Sequence, residues 1–490
     1  MTSQRPRPAV PLRPQTLPRS APAAVGVSSR AVLALLDRLA GDSVECHSLM
    51  VVRRGHVVAE GWWAPFTAER PHLLYSLTKS FTAIAVGLAI EDGLLSLDDR
   101  IVDVLPDHVP DDVSDQGRRL TVHHLLSMTT GHDTDSLAEA WELEPRDLTR
   151  GFLRVPFPHR EGTRHAYDNA TTYVLARMVE RATGSGLPEL LAERLFTPMG
   201  ITEAEWDRVG DGAAFGFHGL HLTTEAVAAF GELLLRRGRW GDRRLVPPSW
   251  VEVATGRRVA THQVDGWSDN PDTRCGYGYQ FWMSRHGYRG EGSFGQLCAV
   301  VPSHDLVVVA TSALSGGGET LLEPIWECLL PGLDRPDDAA DDAQLADRLR
   351  GLALARPSGT LGPRHPTGAR VVASAAGPAL PDGTPVTVEP AERGWLVRFT
   401  ASPGVQVDIE VGHDDWRESE PLGRPVVAAG AWQGDVFVAD LYVITTPHRL
   451  RTVVDTRTGA ASVTWNVVPL TGPGLLRHLQ SPLMTRPDVA

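Results

Sequence analysis

The chain has 490 residues, 42% of them hydrophobic and 22% charged, with a net charge of −13, which suits two or three globular domains. An acidic surface attracts neither nucleic acid nor anionic membrane, so neither is expected as a partner. No run approaches the ~18 apolar residues of a membrane span, and Cys46, Cys275, Cys298 and Cys328 show no C-x-x-C spacing that would signal zinc or a redox pair.

Residues 1–25 are Pro-rich and read as an arm or extended strap. Arg5, Arg7 and Arg13 are not followed by an apolar stretch, so no secretory signal is expected and a reducing, cytoplasmic setting is. Helical spacing starts at Ala31–Leu36. Leu49–Val52 and Val57–Ala59 flank Arg53-Arg54-Gly55 as a β-hairpin. From Leu74 to about 260 the pattern is mostly helical, broken by Gly and Pro loops. Strands are then predicted over 279–283, 296–301 and 306–311, with a closing helix over 319–330. Strands at both ends of a helical insertion predict an α+β fold, an antiparallel sheet flanked by helices with a helical subdomain, over 26–333. The acidic, Pro-containing stretch that opens 334–359 reads as a linker or the start of a helix. Beyond 360 the period changes to two: Val405–Val411 alternates strictly, Ala461–Val467 nearly so, and 395–399 and 436–444 are further strands. This predicts an all-β sandwich or small barrel over 360–490, with no catalytic constellation visible in it.

Lys79 is the only lysine; the other 46 of the 47 basic residues are arginine. It lies three residues after Ser76, in Leu74-Tyr75-Ser76-Leu77-Thr78-Lys79-Ser80. An ammonium can lose its proton when desolvated, whereas a guanidinium cannot. Positions i and i+3 share a helix face, which sets the amine beside the hydroxyl. The apolar stripe Phe81, Ile84, Ala85, Leu88 buries that helix. Burial and the positive helix N-terminus both penalise the charged amine. Neutrality near pH 7 requires about 4 kcal/mol of differential stabilisation, within reach of a buried Lys. Ser is a weak nucleophile until such a base removes its proton. Downstream, His165-Ala166-Tyr167-Asp168-Asn169 precedes another helix. A Tyr hydroxyl beside Lys can shuttle protons, and an Asn amide can orient Lys or a substrate carbonyl.

Ser76-x-x-Lys79, Tyr167-x-Asn169 and a late Gly-rich strand together resemble the serine β-lactamase and penicillin-binding superfamily, and within it the class C-related esterases, amidases and D-peptidases. The phrases Glu91-Asp92-Gly93-Leu94-Leu95-Ser96-Leu97-Asp98-Asp99 and Thr121-Val122-His123-His124-Leu125-Leu126-Ser127-Met128-Thr129-Thr130-Gly131-His132 agree with it. The resemblance covers about 27–333. It implies a β-lactamase/transpeptidase-like fold and an acyl-enzyme on Ser76, with Lys79 and Tyr167 moving the proton. Asn169 joins the substrate-binding set, and backbone N–H groups of Ser76 and of a residue near Ser293 hold the oxyanion. A small ester or amide is the expected substrate, with D-aminopeptidase or β-lactamase action as alternatives, and no cofactor or metal is expected.

The late motif departs from the family pattern of Lys-Thr-Gly or His-x-Gly: here it is Gly290-Glu291-Gly292, followed by Ser293. Glu291 either turns to solvent or faces the cleft; facing the cleft, its carboxylate repels β-lactams and can receive an ammonium, whereas Arg289 swinging inward reverses that preference. With the late basic residue missing, a catalytically weakened binding or sensing protein is the second reading. The same stretch spells G-x-G-x-x-G, but a strand follows where a dinucleotide fold needs a helix. His123-His124 has no acidic partner at metal spacing, and Trp141, Trp240, Trp267 and Trp282 could line a pocket, with core or surface packing as the default assignment.

Overall fold

The computed structural model describes residues 17–210, 212–261, 270–335, 339–372, 378–402 and 405–485. Most of the N-terminal arm and Trp267 lie outside them. Leu17 is buried in the core, and Arg19 pairs with both Glu60 (2.7 Å) and Glu225 (2.6 Å), strapping 17–25 across the second strand.

The first hairpin forms as the sequence predicts, β1 (Cys46–Arg53) against β2 (His56–Trp62). Its two turn residues, Arg54 (φ 51°) and Gly55 (φ 79°), are both left-handed, the type I′ geometry that matches strand twist. Four later strands complete the sheet: β3 (Trp282–Ser284), β4 (Gly287–Gly292), β5 (Gln296–Val301) and β6 (Leu306–Ser312). All six are antiparallel, in the order β2-β1-β6-β5-β4-β3. The first and last strands of the sheet in chain order, β1 and β6, therefore pair with each other. The strand expected over 279–283 starts later, because Gln280 takes a left-handed φ of 64° and breaks the extension.

Alternation sorts β1 between two cores. Met50 and Val52 face the helical subdomain, whereas Leu49 and Val51 face α1 (Ser29–Gly41). Burial on both faces explains why the strand reads as an unbroken apolar run. The helical side holds α2 (Thr78–Glu91), α3 (Asn169–Thr183) and α4 (Thr224–Leu235). α2 is buried continuously from Thr78 to Ala89, a central helix with no solvent face. The segment 318–332 is a chain of short helical turns rather than one helix, and Pro324 interrupts it. Within 334–359, α5 (Ala339–Arg350) sends Leu345 into the core beside α1.

The C-terminal region is a closed barrel. Its strands are β7 (Thr367–Val371), β8 (Pro385–Ala391), β9 (Gly394–Ser402), β10 (Val405–Gly412), β11 (Arg417–Ser419), β12 (Val426–Gln433), β13 (Val436–Val443), β14 (Arg449–Asp455) and β15 (Ala460–Trp465). They run β10-β9-β8-β7-β15-β14-β13-β12-β11, and Gly412 pairs with Ala429 to join β10 to β12. That closure leaves β11 outside an eight-stranded barrel filled by Trp395, Phe399, Ile409, Trp432 and Phe437. No helix among the described residues is long and apolar enough to cross a membrane.

Candidate active site

Ser76 sits where a short strand, His72–Leu73, turns into α2. The chain makes that turn through Tyr75, whose φ of 49° places a bulky residue in the left-handed region. Such a conformation costs roughly 1–2 kcal/mol and persists where the surroundings impose it. Lys79 follows on the first turn of α2 and is 1% exposed.

The Lys79 Nζ has three oxygen neighbours: Ser76 Oγ at 3.0 Å, Asn169 Oδ1 at 2.6 Å and the Phe217 carbonyl at 3.0 Å. The amide of Asn169 is oriented by Asp135, whose carboxylate accepts its Nδ2–H at 2.5 Å and its backbone N–H at 3.0 Å. Oδ1 must then face the lysine. A neutral amine has two N–H bonds, and the Asn169 and Phe217 oxygens can only accept. Its lone pair is left for the Ser76 hydroxyl. Burial pushes the Lys79 pKa down from 10.5 to about 7, while the charges of Asp135 and Asp168 pull it part of the way back.

Tyr167 precedes Asp168, the N-cap of α3, which accepts from the Ala170 N–H at 2.9 Å. Asp168 is itself buried and held by His132 at 3.0 Å and the Ser136 hydroxyl at 2.8 Å. This fixed cap sets the direction of its neighbour. The Tyr167 ring stacks on Trp282 (centroids 5.7 Å apart, planes at 11°) and lies 4.8 Å from the Lys79 Nζ. Its hydroxyl shares a hydrogen bond with Ser76, and burial pushes its pKa up, so it stays protonated near neutrality.

β4 closes the other wall. A Cβ on Gly292 would lie 2.0 Å from the Leu74 carbonyl, and one on Gly290 would lie 2.2 Å from Leu77 Cδ1. Only glycine at both positions lets the strand press against the Ser76 turn. Ser293 begins the reversal into β5, and Phe294 continues it with a φ of 65°. Ser76, Tyr167, Trp282, Glu291, Ser293 and Glu319 all line one cleft of about 360 Å³.

Glu291 thus faces the cleft rather than solvent. Its Oε2 accepts from Arg289 Nε at 2.5 Å, and its other side meets Glu319. Burial pushes Glu291 up, but Arg289 and the shared hydrogen bond with Glu319 hold it below the usual carboxylate range. Glu319 goes the other way, to about 8, through burial and then its contact with Glu291. Arg289 lines the cleft too, but not as a free cation. It is 1% exposed and also donates to the Met283 carbonyl (2.8 Å) and Ser284 Oγ (2.9 Å).

Sequence reasoning missed Asp135, Glu319 and the Phe217 carbonyl, which reach the site from distant loops with no spacing signal. It gave Trp282 to packing, whereas that ring is a cleft wall. Asp168 was passed over too, although an Asp directly before a helical run is an N-cap signal. At the domain boundary, Glu205, Asp207 and His221 offer ligand atoms within 4.8 Å of one another. The guanidinium of Arg424, 2.8 Å from Asp207, supplies the positive charge there.

A family model described as Beta-lactamase matches residues 34–324. This chain belongs to the Beta-lactamase family. It is similar to the 6-aminohexanoate-dimer hydrolase of Paenarthrobacter ureafaciens, at 27% identity over 54% of this chain and 72% of that one. It is also similar to the lovastatin esterase of Penicillium rubens, at 31% identity over 42% and 67% respectively. In fold it resembles a solved structure described as a putative 6-aminohexanoate-dimer hydrolase from Bacillus anthracis (TM-score 0.52, 19% identity, 63% of this chain and 86% of that one). The fold is that of a Beta-lactamase-family hydrolase, and the C-terminal barrel lies beyond the residues that the family model matches.

Proposed function

We propose that this chain is a serine hydrolase that cleaves a small ester or amide through an acyl-enzyme on Ser76. The observation that carries the reading is the buried Lys79 amine, 3.0 Å from Ser76 Oγ, with both its N–H bonds accounted for by Asn169 and Phe217. Neutral Lys79 takes the proton of Ser76 as Oγ bonds to the substrate carbonyl carbon. The backbone amides of Ser76 and Ser293 stabilise the oxyanion. As the bond to the leaving group breaks, Tyr167 gives that group its proton and is reprotonated by Lys79. Water then attacks the acyl carbon, its proton returns through the same pair, and Ser76 is freed.

An ester is favoured over an amide because its leaving group demands less protonation. The acid pair Glu291–Glu319 and the engaged Arg289 make the cleft a poor receptor for a substrate carboxylate, which disfavours β-lactams. The similarity to an esterase and to an amide hydrolase fits this substrate class. The test is a fluorophosphonate probe followed by intact-mass and peptide analysis. One adduct at Ser76, absent in Ser76→Ala, together with turnover of p-nitrophenyl esters, is the expected result. A folded wild type that no acylating probe modifies would leave the binding or sensing reading in its place.

A further inference from the structure

One hairpin of the barrel reaches the nucleophile's turn. The turn between β13 and β14 lays the Thr445 carbonyl on the Leu73 N–H at 2.8 Å and brings His448 to Tyr75. Tyr75 precedes Ser76, and Phe294 follows Ser293. Both are left-handed, at φ 49° and 65°, and bulky residues do not settle there unaided. Both rings converge on His448. The Tyr75 hydroxyl lies 2.6 Å from its Nε2, and the Phe294 ring meets it edge-on with centroids 5.3 Å apart. Tyr75 and Phe294 also contact each other, at 5.1 Å.

His448 is fixed from its own side. Its Nδ1 is 2.9 Å from the Val467 carbonyl, which can only accept, so Nδ1 carries the hydrogen and Nε2 receives the Tyr75 O–H. Burial keeps the ring neutral by pushing its pKa down to about 3. The Tyr75 hydroxyl in turn accepts from the Leu470 backbone N–H, another group of the C-terminal region.

We infer that His448 is a positioning residue of the hydrolase site: through it, the barrel clamps the two left-handed residues that aim the Ser76 and Ser293 amides at the oxyanion. This rests on the acyl-enzyme reading above. It gives the barrel a part in the chemistry although the residues lining the cleft come from outside the barrel. Oxyanion donors act only when held in place before the charge develops, and a misplacement of about 1 Å can cost roughly 10²-fold.

The test uses the full chain and three variants. His448→Phe keeps the ring contacts with Phe294 and Trp465 but removes the acceptor. Tyr75→Phe deletes the same bond from the other side, and serves alone should His448→Phe fail to fold. The double variant asks whether the two act as one unit. With an activated ester, each single variant is expected to lose roughly 10- to 100-fold in kcat with little change in KM. Affinity for a boronic acid, whose adduct on Ser76 mimics the oxyanion, should fall by a similar factor. The double variant should be no worse than the lower single, and His448→Gln, which restores an acceptor, should recover part of the rate. Unchanged kcat and boronate affinity in folded His448→Phe, or rates that fall only in step with the folded fraction, would overturn the inference. A wild type that fluorophosphonate does not label would sink the acyl-enzyme reading itself, and the inference with it. Wild-type labelling with an unaffected His448→Phe sinks the inference alone.

Discussion

Two buried cations flank the Ser76 turn, and they are treated in opposite ways. At the domain boundary, Arg424 is 3% exposed and meets the equally buried Asp207 at 2.8 Å. Burial pushes Asp207 up, but the His221 ring and the Arg424 guanidinium outweigh this and hold its pKa well below the usual carboxylate range. In the cleft, Lys79 is just as buried but is surrounded by neutral oxygens, and its pKa drops to about 7. A direct counter-charge fixes protonation and serves structure. Withholding one lets the amine give up its proton near neutrality, as the proposed chemistry requires.

The largest expected effect comes from abolishing that mobility. Lys79→Arg keeps the charge and forbids deprotonation, so ester turnover should fall by roughly 10²- to 10⁴-fold, the range for a proton-transfer group. Circular dichroism and thermal melting should show the fold intact. Retained activity would mean that the lysine contributes only its charge. Tyr167→Phe should fall within the same range, without the change in pH dependence described below.

Breaking the other cation should cost stability instead. Arg424→Met removes the guanidinium and leaves the buried Asp207 with the His221 ring alone (3.2 Å), and breaking such a buried pair costs about 3–5 kcal/mol. Chemical denaturation would read this as a lower midpoint. The double variant Arg424→Met, Asp207→Asn should regain part of the loss, because no unpaired charge remains. If the single variant is as stable as wild type, the boundary pair is not a structural lock.

The pH dependence separates the two sites next. Below about pH 7 Lys79 takes up a proton and loses its lone pair, so kcat/KM should fall about tenfold for each further pH step. Above that pKa the rate should level off, since Tyr167 holds its proton. As the chain's only lysine, Lys79 can be followed directly. Isotope labelling gives one side-chain signal, and a midpoint near 10 would remove it as the resting base.

What the sequence disclosed follows the same division between local and distant effects. The structure brings Ser76, Lys79, Tyr167 and Asn169 together; the family resemblance pointed to Tyr167 and Asn169, whereas Ser76 and Lys79 were legible from helix periodicity and short spacing. The β1–β2 hairpin and the alternating strands β9 and β10 were legible for that reason too. β12 was not, since Val426–Gln433 is buried at seven successive positions and its Ala-rich sequence shows no alternation. The single helix expected over 319–330 gave way to short turns around Pro324. Asp135, Glu319 and His448 reach the site through chain separations that no period records. The barrel looked free of catalytic features because its His448 acts on Tyr75 rather than on substrate.

Between the fixed Arg424 and the mobile Lys79 stands a third arrangement, the Glu291–Glu319 pair on the cleft wall. Arg289 neutralises Glu291, as Arg424 does Asp207, but Glu319 has been pushed up to about 8 and is protonated at neutral pH. Its sign follows directly: as pH rises through 8, Glu319 loses its proton and the wall gains a negative charge. Preference for an ester bearing an ammonium over its neutral isostere should therefore grow from pH 7 to 9, by roughly 5-fold for an interaction of about 1 kcal/mol. Glu319→Gln should flatten that rise, and Glu291→Lys should shift selectivity toward carboxylate-bearing esters. Matched kcat/KM values across the pH range provide the measurement, with the ratio of the two substrates cancelling the common Lys79 titration. A ratio independent of pH in wild type would show that the pair turns its charge away from the bound substrate, so that the Lys79 titration alone shapes the rate.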